Sequence, residues 1–149
     1  LNKKNIDHNL IIAGDTSDLR FKKYINHLKK ISNQNTNFVG NLSEKEKDEF
    51  YKKIDIFILP SINSFEAFGI VQLEAMSYGI PVIASDINGV KSIVQKTKNG
   101  YLFKNKNSKD LANKIVLCIE KKFENDLIKK NVISNYNKNL FSKNLKSLF

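Results

Sequence analysis

The sequence predicts an α/β protein whose parallel sheet carries helices on both faces. Short apolar runs alternate along the chain with longer segments of helical periodicity, and the runs are rich in β-branched and aromatic residues. Several of these runs are apolar at nearly every position, as in strands buried on both faces, and parallel strands are joined by crossover helices. The arrangement is that of a Rossmann-like fold, and we expect residues 1–149 to form one domain.

The N-terminal third contains two predicted strands and two predicted helices. In chain order these elements are Leu10–Ala13, 19–31, Asn37–Val39 and 43–53. The second helix has the clearer start, because Ser43 and Glu46 have the spacing of a capping box, in which each residue satisfies a backbone N–H of the other.

Three further strands are predicted in the rest of the chain. They are the runs IDIFILP, PVIAS and GYLF, at residues 54–60, 81–85 and 100–103. Between the first two runs, a helix is predicted from Phe68 or Gly69 to Tyr78, because Gly79 is a typical helix stop and Pro81 prevents continuation. A longer helical tail is predicted from Ser108 onwards.

The chain is basic, with 25 Lys+Arg against 15 Asp+Glu and a formal charge of +10. Such a charge favours anionic partners such as nucleotides, phospholipids or nucleic acid. All but one of the basic residues are lysines, however, and they are spread along the whole chain rather than gathered beside aromatic residues. This pattern favours a generally solvated basic surface, and we do not expect nucleic acid as a partner.

The composition indicates a soluble, cytoplasmic protein. The single cysteine, Cys118, has no partner for a disulfide and lies in an apolar stretch, so we expect a small core residue. No signal-peptide pattern is present at the N-terminus, and no apolar run approaches the roughly 20 residues of a membrane span.

Two carboxylates in the segment SFEAFGIVQLEAMSYGIPVIAS, residues 64–85, are the candidate functional residues. The segment follows the third predicted strand, and ligands of parallel α/β sheets bind beyond the carboxyl ends of the strands. Glu66 lies at the expected start of the helix, where free N–H groups attract anions, and Gly69 lets a ligand approach the backbone. Glu74, expected about two turns inside the helix, needs hydrogen-bond donors, which the vicinal diol of a ribose supplies.

Both carboxylates also have an ordinary structural explanation. A glutamate near a helix start interacts favourably with the helix dipole, and a glutamate in mid-helix is usually solvated or paired with a lysine. The spacing of Glu66 and Glu74 alone does not decide between a binding site and an ordinary helix.

The wider stretch PSINSFEAFGIVQLEAMSYGIPVIAS, with GYLF downstream, resembles the donor-binding half of the retaining glycosyltransferases of family 4, also called group 1, which have the GT-B architecture. The family hallmark is a proline-serine strand end, a Glu, Phe-Gly, a second Glu eight residues after the first, and a Gly-x-Pro-Val strand. Every element is present, and looser similarity extends from about Leu10 to about Glu120. The resemblance implies a C-terminal, donor-binding domain.

The resemblance implies a role for each residue of the site. Glu74 would bind the ribose hydroxyls of the donor, and Glu66, the expected catalytic residue, would contact the donor sugar near its reacting carbon. The backbone of Phe68, Gly69 and Ile70 would bind sugar hydroxyls and the diphosphate. The donor would be a UDP-, GDP- or ADP-sugar, transferred with retention by front-face substitution, and no metal or other cofactor is expected.

The resemblance also implies parts that we do not find in this sequence. Family members have an earlier strand with an Arg and a Lys that clamp the diphosphate, and an N-terminal domain that binds the acceptor. Only nine residues precede LIIAGD here, so we expect a fragment without transferase activity by itself. The acceptor, a glycan or a lipid-linked glycan of polysaccharide biosynthesis, would bind the missing domain. The basic helices of residues 108–149 suit a position at the inner face of an anionic membrane, but we rather expect a tail that packs on the domain.

A different class of function is also compatible with the sequence. A chain without the acceptor-binding half could be a non-catalytic nucleotide-binding or regulatory module. Such a module would bind a nucleotide or nucleotide sugar through the same residues without turning it over.

Overall fold

The computed structural model describes residues 1, 6–63, 66 and 68–136 of the chain. It has the predicted α/β fold, with parallel sheets and helices on both sides, and divides into two compact units, Leu1–Phe50 and Tyr51–Phe149. The elements in chain order are β1 (Leu10–Ala13), a 3₁₀ turn (Leu19–Phe21), α1 (Lys22–Ile31), β2 (Thr36–Gly40), α2 (Glu44–Lys53), β3 (Phe57–Leu59), α3 (Val71–Ser77), β4 (Val82–Ser85), α4 (Lys91–Thr97), β5 (Gly100–Phe103), α5 (Ser108–Lys121) and α6 (Asn125–Tyr136).

The first unit contains β1 and β2, which pair in parallel. The predicted strand β1 is confirmed, and β2 is longer than predicted by one residue at each end. The capping box is confirmed at the start of α2, where the backbone N–H of Ser43 donates to Glu46 Oε2 at 2.8 Å and the N–H of Glu46 approaches Ser43 Oγ at 3.4 Å.

The second unit contains a three-stranded parallel sheet with β4 in the middle. All four residues of β4 are buried. Ile83 faces a cluster with Phe103 of β5 and Cys118 of α5, while Val82 and Ala84 point to the opposite face because side chains alternate along a strand. Helices α3 and α4 cover that second face with the buried residues Ala75, Met76, Ile93 and Val94. The sheet is therefore covered on both sides.

Gly100, the first residue of β5, allows β4 and β5 to approach closely. It lies opposite Val82 in the parallel register, and a Cβ atom built on Gly100 would overlap the carbonyl oxygen of Val82. Only glycine fits at this point of the sheet without a shift of the backbone.

The helical tail predicted from Ser108 consists of two helices, α5 and α6, within the described residues. Lys122 ends α5 in the left-handed conformation, with φ 48°, and the ring of Phe123 packs edge-on against Tyr101 at 5.9 Å between centroids. The predicted tail beyond Tyr136, residues 137–149, lies outside the described residues.

Helix α6 is fixed to the loop after α4 by a buried polar network. Asn99, which is 2% exposed, donates through Nδ2 to the carbonyl oxygen of Ile128 at 2.9 Å, and its Oδ1 accepts from Asn131 Nδ2 at 2.9 Å. Asn131 also donates to the carbonyl oxygen of Thr97 at 3.2 Å. Buried amides are stable in a core only when they are bonded in this way.

Within the part of the chain that the structure describes, no helix combines the length and the apolar character needed to cross a lipid bilayer.

Candidate functional site

The segment from the end of β3 to the first turn of α3 holds all five residues that the sequence singled out: Glu66, Phe68, Gly69, Ile70 and Glu74. Because it follows β3, it starts at the carboxyl edge of the sheet, where parallel α/β proteins bind their ligands.

Glu66 is half-buried and closes the turn that leads into α3. Its Oε1 accepts a hydrogen bond from the backbone N–H of Gly69 at 2.9 Å. This contact brings together two of the predicted site residues, and it also means that the N–H expected to face a ligand donates to a carboxylate here.

Helix α3 begins later than predicted, and Glu74 is therefore placed differently. Gly69 has φ 70°, which is outside the right-handed helical region, so the helix starts at Val71 with Ile70 as its N-cap residue. Glu74 lies in the first turn of α3, and the prediction that it lies about two turns inside the helix is wrong. Its carboxylate is consequently close to the positive end of the helix dipole.

Gly69 is buried against two side chains that leave no room for a Cβ atom. A Cβ at this position would lie 2.7 Å from Gln72 Nε2 and 2.8 Å from Leu59 Cδ2. Gln72 is itself fully buried, and its Nε2 donates to the carbonyl oxygen of Val90 at 3.0 Å. Gln72 could not be singled out from the sequence, since a glutamine near a helix start is usually solvated.

Glu74 is half-buried and has a tyrosine as its partner. The hydroxyl of Tyr51, in the last turn of α2, donates to Glu74 Oε2 at 3.0 Å. Tyr51 is 6% exposed, and its ring stacks on Tyr78 with 5.1 Å between centroids. Tyr51 could not be singled out from the sequence, because the contact joins residues 23 positions apart and a tyrosine on a helix usually belongs to the core.

Phe68 and Ile70 differ in exposure. Phe68 is half-buried, and its ring meets that of Tyr136 at the end of α6 with 6.1 Å between centroids, while Lys96 Nζ lies 4.8 Å from the centre of the same tyrosine ring. Burial raises the pKa of the Tyr136 hydroxyl. Ile70 is 63% exposed and leaves its part of the turn open to solvent.

A separate cleft of about 240 Å³ lies at the carboxyl ends of β4 and β5. Its lining residues are Pro60, Ile62, Ser85, Phe103, Lys106, Asn107, Ser108 and Leu111. None of the five predicted residues lines this cleft, so the cleft and the segment around α3 are neighbouring features of the same sheet edge.

Metal-binding chemistry has no candidate within the described ranges. No group of three or more His, Cys, Asp or Glu side chains there is arranged to hold a metal ion. The residues of the segment instead provide two carboxylates and backbone groups around a helix start.

The fold is that of the open parallel α/β proteins, which bind their ligands beyond the carboxyl ends of the strands, where this segment lies. Residues 1–139 match the family model of the glycosyl transferases group 1, and the chain belongs to this family.

Relatives and solved structures agree with the family. The chain is 34% identical over 116 residues to an uncharacterised glycosyltransferase of Methanocaldococcus jannaschii, an alignment that covers 78% of this chain and 32% of the relative. A crystal structure of a glycosyltransferase from Rickettsia africae superposes with a TM-score of 0.80 at 26% identity, over 97% of this chain and 40% of that one. The Anabaena protein HepE, solved in complex with UDP, superposes with a TM-score of 0.77 at 23% identity, over 94% and 41%. The chain thus spans about a third of the length of the Methanocaldococcus jannaschii relative.

Proposed function

We propose that this chain is the donor-binding part of a retaining glycosyltransferase of family 4, which transfers a sugar from a nucleoside-diphosphate sugar to a glycan or lipid-linked acceptor. The observation that carries the proposal is the half-buried carboxylate of Glu74, held in the first turn of α3 by the hydroxyl of Tyr51. A carboxylate accepts through two oxygens with about four lone-pair positions, so Glu74 can bind the two hydroxyls of a ribose in addition to Tyr51.

The diphosphate is bound at the turn before α3. The dipole of α3 favours negative charge there, and the backbone of Phe68 and Ile70 makes the contact because the Gly69 N–H already donates to Glu66. Developing charge on the departing diphosphate is stabilised by these backbone groups, which is the main electrostatic contribution that this segment makes to the transfer.

Glu66 contacts the donor sugar near its reacting carbon. Its Oε1 accepts from the N–H of Gly69, which orients the carboxylate from the backbone. Its second oxygen accepts a sugar hydroxyl, so that the same residue joins the turn before α3 to the transferred sugar. The front-face substitution needs no covalent bond from Glu66 and no metal ion, and the incoming hydroxyl attacks from the side on which the diphosphate leaves.

The acceptor is bound by a part of the longer family members that this chain does not span, and not by the residues of α3. The chain spans about a third of its curated relative, and we expect this chain alone to bind the donor without transferring the sugar. In the cell, we expect the protein to act in polysaccharide biosynthesis at the cytoplasmic side of the membrane. Exposed lysines of α5 and α6 would be attracted to anionic lipids there, among them Lys109, Lys121 and Lys130.

Ligand-observed NMR with UDP-, GDP- and ADP-sugars tests the donor site directly. We expect one nucleotide to bind selectively and its affinity to fall by about tenfold or more in Glu74→Gln, because the neutral amide accepts hydrogen bonds from the diol less strongly than the carboxylate does. The matched control is Glu120→Gln, an exposed carboxylate on α5. Binding that ignores the base and Glu74, and is lost when salt is raised, would contradict the proposal and indicate a general basic surface.

A further inference from the structure

The ring of Tyr51 is held in place from two sides within the second unit. It stacks on Tyr78 with 5.1 Å between centroids and 24° between ring planes, and it meets Phe57, the first residue of β3, at 6.1 Å and 53°. With 6% of its surface exposed, the ring has little freedom to turn. The position of its hydroxyl is therefore set by the packing of α3 and β3 around it.

The hydroxyl of Tyr51 has a single proton, and it donates that proton to Glu74 Oε2 at 3.0 Å. Tyr78, the C-cap residue of α3, lies four residues after Glu74, about one helical turn further along. One tyrosine thus contacts both, with its ring on Tyr78 and its hydroxyl on Glu74. An otherwise flexible glutamate is held in one orientation before any ligand arrives.

We infer that Tyr51 is a positioning residue for nucleotide binding, which orients the Glu74 carboxylate so that it accepts hydrogen bonds from the ribose diol. This inference rests on the proposed function, in which Glu74 binds the ribose. Fixing a side chain in advance removes the entropy loss that binding would otherwise carry. The hydroxyl also occupies one lone pair of Oε2, so the remaining lone pairs are those directed to the ribose.

An ordinary structural contact and a positioning contact have different consequences for ligand selectivity. If Tyr51 only satisfies Glu74 in the fold, its hydroxyl affects stability and leaves the preference for ribose over 2′-deoxyribose unchanged. If Tyr51 positions Glu74, its hydroxyl matters for ligands that carry the full diol, and much less for ligands that lack the 2′-hydroxyl.

The experiment measures the dissociation constants of ADP, GDP and UDP and of their 2′-deoxy forms by calorimetry or NMR titration. The proteins are the wild type, Tyr51→Phe, Glu74→Gln and the double variant. Tyr101→Phe is the matched control, because it removes the same hydroxyl from a half-buried tyrosine on the other face of the sheet, where its ring contacts Phe123. Thermal melts of each variant show whether the fold is retained.

We expect Tyr51→Phe to weaken the best-bound ribonucleotide by about tenfold, with a much smaller effect on its 2′-deoxy form, so that the ribose preference falls. In the double variant, the loss of the Tyr51 hydroxyl should add little to the effect of Glu74→Gln, because the two residues act through one contact. Tyr101→Phe should leave the preference as in the wild type.

If Glu74→Gln abolishes the ribose preference but Tyr51→Phe leaves it unchanged, the inference about Tyr51 is overturned, while the proposed donor site is still supported. If the wild type shows no preference for ribose over 2′-deoxyribose, or if Glu74→Gln leaves that preference unchanged, both the proposed donor site and this inference are overturned. Should Tyr51→Phe fail to melt cooperatively, Tyr78→Leu provides the second test. It removes the stack that holds the Tyr51 ring but keeps the hydroxyl, and the same fall in ribose preference is expected, whereas an unchanged preference overturns the inference.

Discussion

Gly69 determines how the chain enters α3. Its φ of 70° turns the backbone before the helix, its N–H donates to Glu66, and a Cβ atom built on it would overlap Gln72 and Leu59. Two requirements therefore meet at one residue, a left-handed conformation and the absence of a side chain.

Gly69→Ala should lower the free energy of unfolding by about 2–4 kcal/mol, the sum of the conformational strain and the overlap with Gln72 and Leu59. It should also weaken nucleotide binding, because the turn between Glu66 and Glu74 must shift. Denaturant unfolding and the NMR titration described above measure both effects.

Gly40→Ala is the matched control for this substitution. Gly40 has φ 69°, but a Cβ atom added to it would have nothing within 4 Å, so the variant carries the conformational strain of about 1 kcal/mol without the overlap. Equal losses for the two variants would show that packing around Gly69 contributes nothing.

The sequence singled out the candidate residues but not their partners. Glu66, Gly69 and Glu74 could be singled out because a short motif contains all of them. Tyr51 and Gln72 could not, since the contact of Tyr51 with Glu74 and that of Gln72 with Val90 depend on how separate elements pack. The roles of the five predicted residues in ligand binding stay predictions.

Among the elements, local signals predicted best. The capping box of Ser43 and Glu46 was correct because both partners lie within one turn of the same helix. The start of α3 was placed too early because Gly69 was counted as helical. The position of the break between α5 and α6 could not be predicted, since a lysine at position 122 gives no sign of a left-handed conformation.

The docking of α6 depends on Asn99, and Asn99→Ala should release it. The change removes the hydrogen bonds to the Ile128 carbonyl and from Asn131, which should reduce stability by about 2–3 kcal/mol. Amide hydrogen exchange in α6 should become at least about tenfold faster, while exchange in β4 changes less.

Asn113→Ala is the control for Asn99→Ala, because Asn113 is an exposed asparagine on α5. It should leave both the exchange rates and the stability close to those of the wild type. Equal protection of α6 in the two variants would show that the hydrogen bonds of Asn99 do not hold this helix.

At the scale of the whole molecule, the alternation of apolar runs and helices was enough to predict the strands. It did not predict their partners: β1 pairs with β2, and β3, β4 and β5 form another sheet within the described residues. Local composition predicts which segments form strands, whereas the pairing of strands depends on contacts between distant parts of the chain. The expectation that residues 1–149 form one domain stays a prediction.

The thiol of Cys118 reports on the integrity of the second unit. Burial raises the pKa of this thiol to about 11, so at pH 8 its reactive thiolate fraction is about a hundredfold lower than at the ordinary pKa of 9.0. The side chain is also 3% exposed, within the cluster of Ile83 and Phe103.

We expect Cys118 in the native protein to react with Ellman's reagent at least about a hundredfold more slowly than in guanidinium-unfolded protein at pH 8. Along a denaturant titration, the rate should rise together with the loss of the far-ultraviolet circular dichroism signal. Rapid labelling of the native protein would show that the core around Cys118 opens without unfolding.

The close approach of β4 and β5 at Gly100 limits how this protein can change over generations. Every single-base change of a glycine codon that alters the amino acid introduces a Cβ, and a Cβ here overlaps the Val82 carbonyl. Exposed lysines and asparagines can be exchanged gradually, but no gradual route leads away from glycine at this position. A lineage that replaces Gly100 must first separate β5 from β4, and with them the two strand ends at which the neighbouring cleft lies.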